Sequence, residues 1–196
     1  MEYNIINKER LFQGFFSIDR YTVVHEKFEG GFSGEVVREV FERGNAAAVL
    51  PYDPKLDSVV LVEQFRVGAI NSDIGPWQLE TIAGVIDKQG ESVEDLIRRE
   101  AVEEANCHLG EIIPMMEYFC SPGGATEKIS MFAAIIDASG IGGVYGLDEE
   151  SEDIKVHVVK REDALGMIET GKIQTAMTII ALQWLQLNLN KLTASA

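Results

Sequence analysis

Between Ser92 and Ala105 the sequence sets two acids where a helix should be apolar, and that conflict limits what the chain can become. With 3.6 residues per turn, Val93, Leu96, Ile97 and Ala101 form one apolar stripe, and Ala105 extends its edge. Glu100 and Glu104 fall inside the stripe, one turn apart. Like charges at this spacing repel, and a partly buried carboxylate carries a large desolvation cost unless something pairs it. No lysine or arginine is expected on that face. A bound divalent cation is the simplest compensation. Ser92-Val93-Glu94-Asp95 supplies the helix start, a capping box with Asp in the usual Glu position.

The surrounding pattern predicts strands flanked by helices. Ala46–Tyr52 and Ser58–Gln64 are strongly apolar runs on either side of the turn Asp53-Pro54-Lys55-Leu56-Asp57. Trp77–Ile82 reads as one strand leading into Ala83-Gly84, and Met131–Ile136 and Asp153–Val159 as two more. Arg161–Glu169 and Ala176–Leu192 are helical, the second with apolar spacing through Ile179, Leu182, Leu185 and Leu189. This succession predicts an α/β fold, a mixed β-sheet between helical layers. Earlier residues differ. Leu11–Phe16, Tyr21–Val24 and Glu35–Phe41 are aromatic and β-branched runs, with Gly30-Gly31 as a turn between the last two. They read as a small antiparallel β-sheet that cannot bury a stable core alone. Residues 1–45 are therefore expected to be an N-terminal β subdomain, leaning on a main domain at 46–196 or on a second subunit.

Composition excludes several functions. The formal charge of −15 over 196 residues argues against nucleic acid, whose phosphates need basic surface, but leaves room for a small phosphorylated ligand. No apolar run reaches the roughly 18–20 residues that span a bilayer. The start, Met1-Glu2-Tyr3-Asn4, has no basic-then-hydrophobic secretory pattern, so a cytoplasmic location and no membrane partner are expected. Cys107 and Cys120 suit two reduced thiols better than a disulfide framework or zinc site. His25, His108 and His157 have no metal-ligand spacing, and Ser121 has no G-x-S-x-G setting. The glycines at 140–146 miss a G-x-G-x-x-G loop because Tyr145 interrupts them.

Gly84, Glu91, Arg99, Glu100, Glu103 and Glu104 together resemble the Nudix box, a glycine and an acid followed by Arg-Glu-x-x-Glu-Glu. Trp77-x-Leu79-Glu80 before it, Ser121-Pro122-Gly123-Gly124 beyond it and Ile180–Leu187 near the C-terminus are similar to the ADP-ribose pyrophosphatase branch of Nudix hydrolases, of enterobacterial type. The resemblance covers nearly the whole chain. It implies a Nudix α/β/α sandwich that hydrolyses ADP-ribose to AMP and ribose 5-phosphate with Mg2+, two or three ions being expected and Mn2+ a substitute. It assigns Glu100, Glu104 and the Ala83 carbonyl as metal ligands, joined by Glu152 when substrate binds. Glu150 matches the family's base, with Glu149 the neighbouring alternative. Glu103 would assist the metal cluster or its waters, and Arg99 would hold the carboxylates in place. Arg66, Gly84 and Glu127 are candidate substrate contacts, as is Arg43 supplied by the neighbouring subunit. A homodimer with active sites shared between its subunits follows from that assignment.

Two positions depart from the family pattern. Six residues separate Gly84 from Glu91, one more than usual, so an extra residue lies within Asp87-Lys88-Gln89-Gly90 and could shift the Ala83 carbonyl. Asn106 stands where the box carries glycine, at a position that commonly needs left-handed backbone, for which Asn is next best. Rival readings are a Nudix hydrolase of another nucleoside diphosphate sugar or of NADH, and a non-catalytic ADP-ribose-binding sensor.

Overall fold

The computed structural model describes residues 1–193 and divides into two compact units. The last three residues of the expected main domain lie outside the described part. No helix among the described residues is long and apolar enough to cross a membrane.

The first unit comprises Met1–Asn45 and Tyr118–Ile129. Strands β1 (Tyr3–Gln13), β2 (Ser17–His25) and β3 (Val36–Glu42) form an antiparallel sheet in that order. Charge holds it more than burial. Asp19 on β2 is 1% exposed, paired with Lys8 at 3.0 Å and gripped by Arg10, while Arg20 reaches Glu9 at 2.9 Å. Gly30 and Gly31 take φ of +87° and +73°, the left-handed backbone that the expected turn requires. The first strand begins at Tyr3, not Leu11, and Phe15 and Phe16 lie in the bend after it. Every residue of β1 is exposed in the single chain, so no hydrophobic alternation marks it. The Ser121–Thr126 segment docks on β3: the Phe41 N–H donates to the Gly124 carbonyl at 2.8 Å, and the Thr126 hydroxyl to Glu42 at 2.6 Å.

The second unit holds the larger sheet. Its elements are β4 (Ala46–Asp53), β5 (Ser58–Phe65), β6 (Trp77–Glu80), β7 (Ile82–Val85), α1 (Val93–Ala105), β8 (Ile112–Phe119), β9 (Lys128–Ile135), β10 (Gly143–Tyr145), β11 (Ile154–Lys160), α2 (Arg161–Glu169) and α3 (Ala176–Thr193). The sheet runs β10-β11-β5-β4-β9-β8, with β6 on β5 and β7 on β4. All of β4 is buried, as befits a strand covered on both faces. Ala47, Val49, Val60 and Val62 pack with Leu96, Ile97 and Ala101 of α1. Ala46, Ala48 and Leu50 alternate to the other face. There α3 meets β4 and β6, and Leu182 and Leu185 are buried. The result is the expected α/β sandwich.

Three strands depart from the sequence expectation. The single strand expected at Trp77–Ile82 breaks at Thr81, whose N–H leaves the ladder to donate to the Thr178 hydroxyl on α3 at 3.0 Å. That break lets β6 and β7 pair with different neighbours. Strand β8 is apolar in sequence but has no fully buried residue, and its Pro114 is tolerated because β8 is at the sheet's end. Strand β10 is a three-residue piece of the glycine-rich segment.

Helix α1 begins and ends as the sequence indicates. The Ser92 hydroxyl accepts from the Asp95 N–H at 3.1 Å. Asn106 caps the C-terminus at φ +46°. Asn106→Ala should therefore lower unfolding free energy by about 1 kcal/mol, since a Cβ without Asn's local hydrogen bonding is strained there. Asn106→Gly should stay within a few tenths of wild type or exceed it, as read by urea denaturation.

Candidate active site

Helix α1 lays its acids against β7. Glu104 is 4% exposed, and its Oε2 accepts from the Ala83 N–H at 3.3 Å. Next to it, a Cβ on residue 84 would stand 2.2 Å from Glu100 Oε1, so only glycine leaves that carboxylate its place. Gly84, expected to touch substrate, thus has a steric reason to be glycine. Ala83, expected to offer its carbonyl, meets Glu104 through its N–H.

Arg99 gathers three acids. It binds Glu91 through Nε and Nη2 at 2.9 and 3.2 Å, and Nη1 reaches Glu100 at 2.9 Å and Glu103 at 2.7 Å. This corrects the expectation that no cation serves the acidic face: the long arginine side chain reaches Glu100 from the flank. Among the described residues Glu104 has no ion pair, and the Ala83 N–H is its hydrogen-bond partner.

The electrostatics follow from that inequality. Burial pushes the Glu104 carboxyl up to about 8, with the Glu100 charge adding to it and the Ala83 N–H and Arg66 opposing. Burial likewise pushes Glu100 up to about 7, opposed by Arg99 and reinforced by Glu103. Glu91 is held below the ordinary carboxylate range by its bond to Arg99. Two adjacent acids with raised values, one buried without a counter-charge, and a glycine cradle that admits a carboxylate all suit a hard divalent cation. Among the described residues no three Asp, Glu, His or Cys side chains form a ready-made cage, so further oxygens would complete the shell.

The loop before β11 contributes unequally. Gly146, at φ +113°, donates its N–H to the Glu103 carbonyl at 3.3 Å and docks the loop on α1. A Cβ there would lie 2.7 Å from the Glu152 Cβ. Glu152 accepts from the Leu147 N–H at 3.2 Å, and its charge raises the pKa of both Glu100 and Glu104. Glu149 and Glu150 are exposed in the short turn Asp148–Glu150 and are not drawn into the carboxylate cluster.

The expected arginines both have acidic partners. Arg66 Nε lies 2.7 Å from Glu80, which is 6% exposed. In the first unit, Arg43 stands 3.2 Å from Glu127 and over the Phe16 ring at 5.4 Å. Glu80 was missed as a site residue. The available signal was an acid that alternation puts on one face with Gln78 and Ile82, three residues before Ala83.

A buried carboxylate next to a partly buried one, packed against a glycine-bearing strand on an α/β sandwich, makes a site suited to a divalent metal. No protein-family model matches the chain. It is 50% identical over 184 residues to the ADP-ribose pyrophosphatase of Escherichia coli K12, covering 94% of this chain and 88% of that protein. The ADP-ribose pyrophosphatase of Haemophilus influenzae is 46% identical over 194 residues, 97% and 89% of the two chains. A GDP-mannose pyrophosphatase from Enterobacter is 41% identical over 161 residues, 80% and 82%. A solved structure described as an ADP compounds hydrolase matches with TM-score 0.73 over 98% of this chain and 96% of that one; at 20% identity it speaks for the fold. The chain belongs to the Nudix hydrolases, in their ADP-ribose pyrophosphatase branch.

The buried acid gives a signed pH effect. Glu104 holds its proton to about 8 when folded, against an ordinary value of 4.5. Between these values the folded metal-free chain binds more protons than the unfolded one, so this acid's contribution to stability falls as pH rises. Glu104→Gln should therefore gain stability over wild type progressively from pH 5 to pH 8 in chelator, read by thermal unfolding. Magnesium should raise the wild-type Tm more at pH 8 than at pH 6, and this increment should shrink in Glu104→Gln. Gly84→Ala should displace the Glu100 carboxylate and weaken the magnesium-induced shift.

Proposed function

We propose that the chain hydrolyses the diphosphate bond of ADP-ribose to AMP and ribose 5-phosphate in a divalent-metal-dependent reaction. The observation that carries this is the buried Glu104 beside Glu100, unpaired and packed on Ala83-Gly84, in a chain 50% identical to an ADP-ribose pyrophosphatase. Glu100 and Glu104 would hold the metal, with the Ala83 carbonyl and Glu152 as the further oxygens. Magnesium, in two or three ions with manganese as substitute, would neutralise diphosphate charge and polarise phosphorus and water.

The protein groups have separate tasks. Arg99 fixes Glu91, Glu100 and Glu103 in one arrangement, so the acids need no reorganisation when substrate arrives. Arg66 would contact the phosphates. Glu150, exposed on its loop, would take a proton from the attacking water once the loop closes over substrate, with Glu149 as the alternative. Arg43 and Glu127 would act at the substrate of a partner subunit in a homodimer built by the N-terminal subdomain. A cytoplasmic site of action, without nucleic acid or membrane, fits the acidic composition.

A second substrate reading is favoured by the relative named GDP-mannose pyrophosphatase, 41% identical over 80% of the chain. The assay is direct: ADP-ribose, GDP-mannose and NADH at equal concentration with magnesium, products separated by chromatography. ADP-ribose should give the largest kcat/KM, with AMP and ribose 5-phosphate in equal amounts. Preference for GDP-mannose would overturn the specificity, and tight ADP-ribose binding without AMP would identify a sensor. Glu104→Gln should lower turnover by roughly two or more orders of magnitude while remaining folded.

A further inference from the structure

Glu80 closes β6 with its side chain 8% exposed, and its ionic partner is Arg66. A carboxylate this buried needs a partner, and removing that partner would leave an uncompensated charge. The pairing consumes Arg66 Nε at 2.7 Å. Among the described residues the two terminal nitrogens of Arg66 have no hydrogen-bond partner, and the side chain is 45% exposed. The guanidinium is thus anchored at its inner edge and open at its outer one.

The strand register says which way this pair faces. Glu80 stands directly opposite Val62 on β5, and residues opposite one another share a face of the sheet. Val62 packs in the cluster built by Leu96, Ile97 and Ala101 of α1. Glu80 therefore lies on the α1 side, three residues before Ala83, and the Arg66 charge reaches Glu104. Arg99 offers no comparable fork, since its nitrogens are already engaged by three acids.

We infer that Glu80 is a positioning residue, holding Arg66 by Nε so that both terminal nitrogens face a phosphate of the nucleoside diphosphate beside Glu104. This rests on the diphosphatase reading above. An arginine fork so held matches two phosphate oxygens at once, with little side-chain freedom left to lose. Glu80 touches no substrate atom and acts only through Arg66.

A double-mutant cycle tests this. Glu80→Gln keeps the shape and removes the charged clamp, Arg66→Met removes the fork, and the double variant removes both. With ADP-ribose and magnesium, Glu80→Gln should raise KM about tenfold and change kcat by less than about threefold. Arg66→Met should raise KM at least as far, and adding Glu80→Gln to it should raise KM no further. Thermal unfolding supplies a second readout: Arg66→Met should lower Tm by stranding the Glu80 charge, and the double variant should recover part of that loss. An unchanged KM in Glu80→Gln, or losses that multiply in the double variant, would overturn the inference. Titration calorimetry with ADP and magnesium reads the same cycle without turnover. A wild type that releases no AMP would sink the diphosphatase reading, while the calorimetric cycle would still decide the role of Glu80.

Discussion

The contact between Glu104 and the amide of Ala83 is the interaction on which the site depends. It puts a carboxylate into the layer between α1 and β7, where water cannot solvate it, and gives it a single N–H in return. One hydrogen bond does not offset the desolvation of a charge. Glu100, one turn earlier, makes the imbalance worse, and Arg99 is already shared among three acids. The metal-free chain therefore folds against an electrostatic penalty localised at one place. A cation that relieves it binds in proportion to that penalty, which couples metal affinity to the packing of α1 on the sheet.

The sheet's least regular feature serves this arrangement. Were Trp77–Val85 one continuous strand, it would pair along a single neighbour. Turning the Thr81 N–H to Thr178 ends one pairing and begins another, so β6 runs beside β5 and β7 beside β4. Arg66 and Glu80 then stand on one side of the break, Ala83 and Gly84 on the other. A threonine on α3, buried at the far layer, fixes the step that sets Glu80, the partner of Arg66, beside β5 and the Ala83-Gly84 cradle beside β4.

Local rules made much of this readable from sequence. The apolar runs of β4 and β5, the Ser92 cap, the left-handed Asn106 and both later helices follow from propensity and periodicity, which need no knowledge of distant residues. What sequence could not supply lies at longer range. The break at Thr81 depends on a hydroxyl 97 positions away. Strand β1 has no buried face in the single chain and is held by charge pairs whose register only the folded sheet defines. Strand β8 carries a proline that argues against a strand until its place at the sheet's end is known. Within the site, the odd placement of Glu100 and Glu104 was visible on a helical projection. The reach of Arg99 was not, because a projection fixes Cβ directions and a guanidinium extends well beyond them.

The contrast between Arg99 and Arg66 bears on how so acidic a protein takes an anionic substrate. At a formal charge of −15 the chain's field repels a diphosphate and draws in cations. Arg99 adds no attraction, since its charge is cancelled within the cluster it organises. Arg66 is different: one buried carboxylate neutralises it in part, and its outer nitrogens remain open. One such fork cannot reverse the sign of the surroundings. On the proposed function, the acids would gather the metal first, the local potential would turn favourable, and Arg66 would then set where the phosphates come to rest. Affinity and orientation would then be divided between groups of opposite charge, with Glu104 at the head of one and Glu80 behind the other.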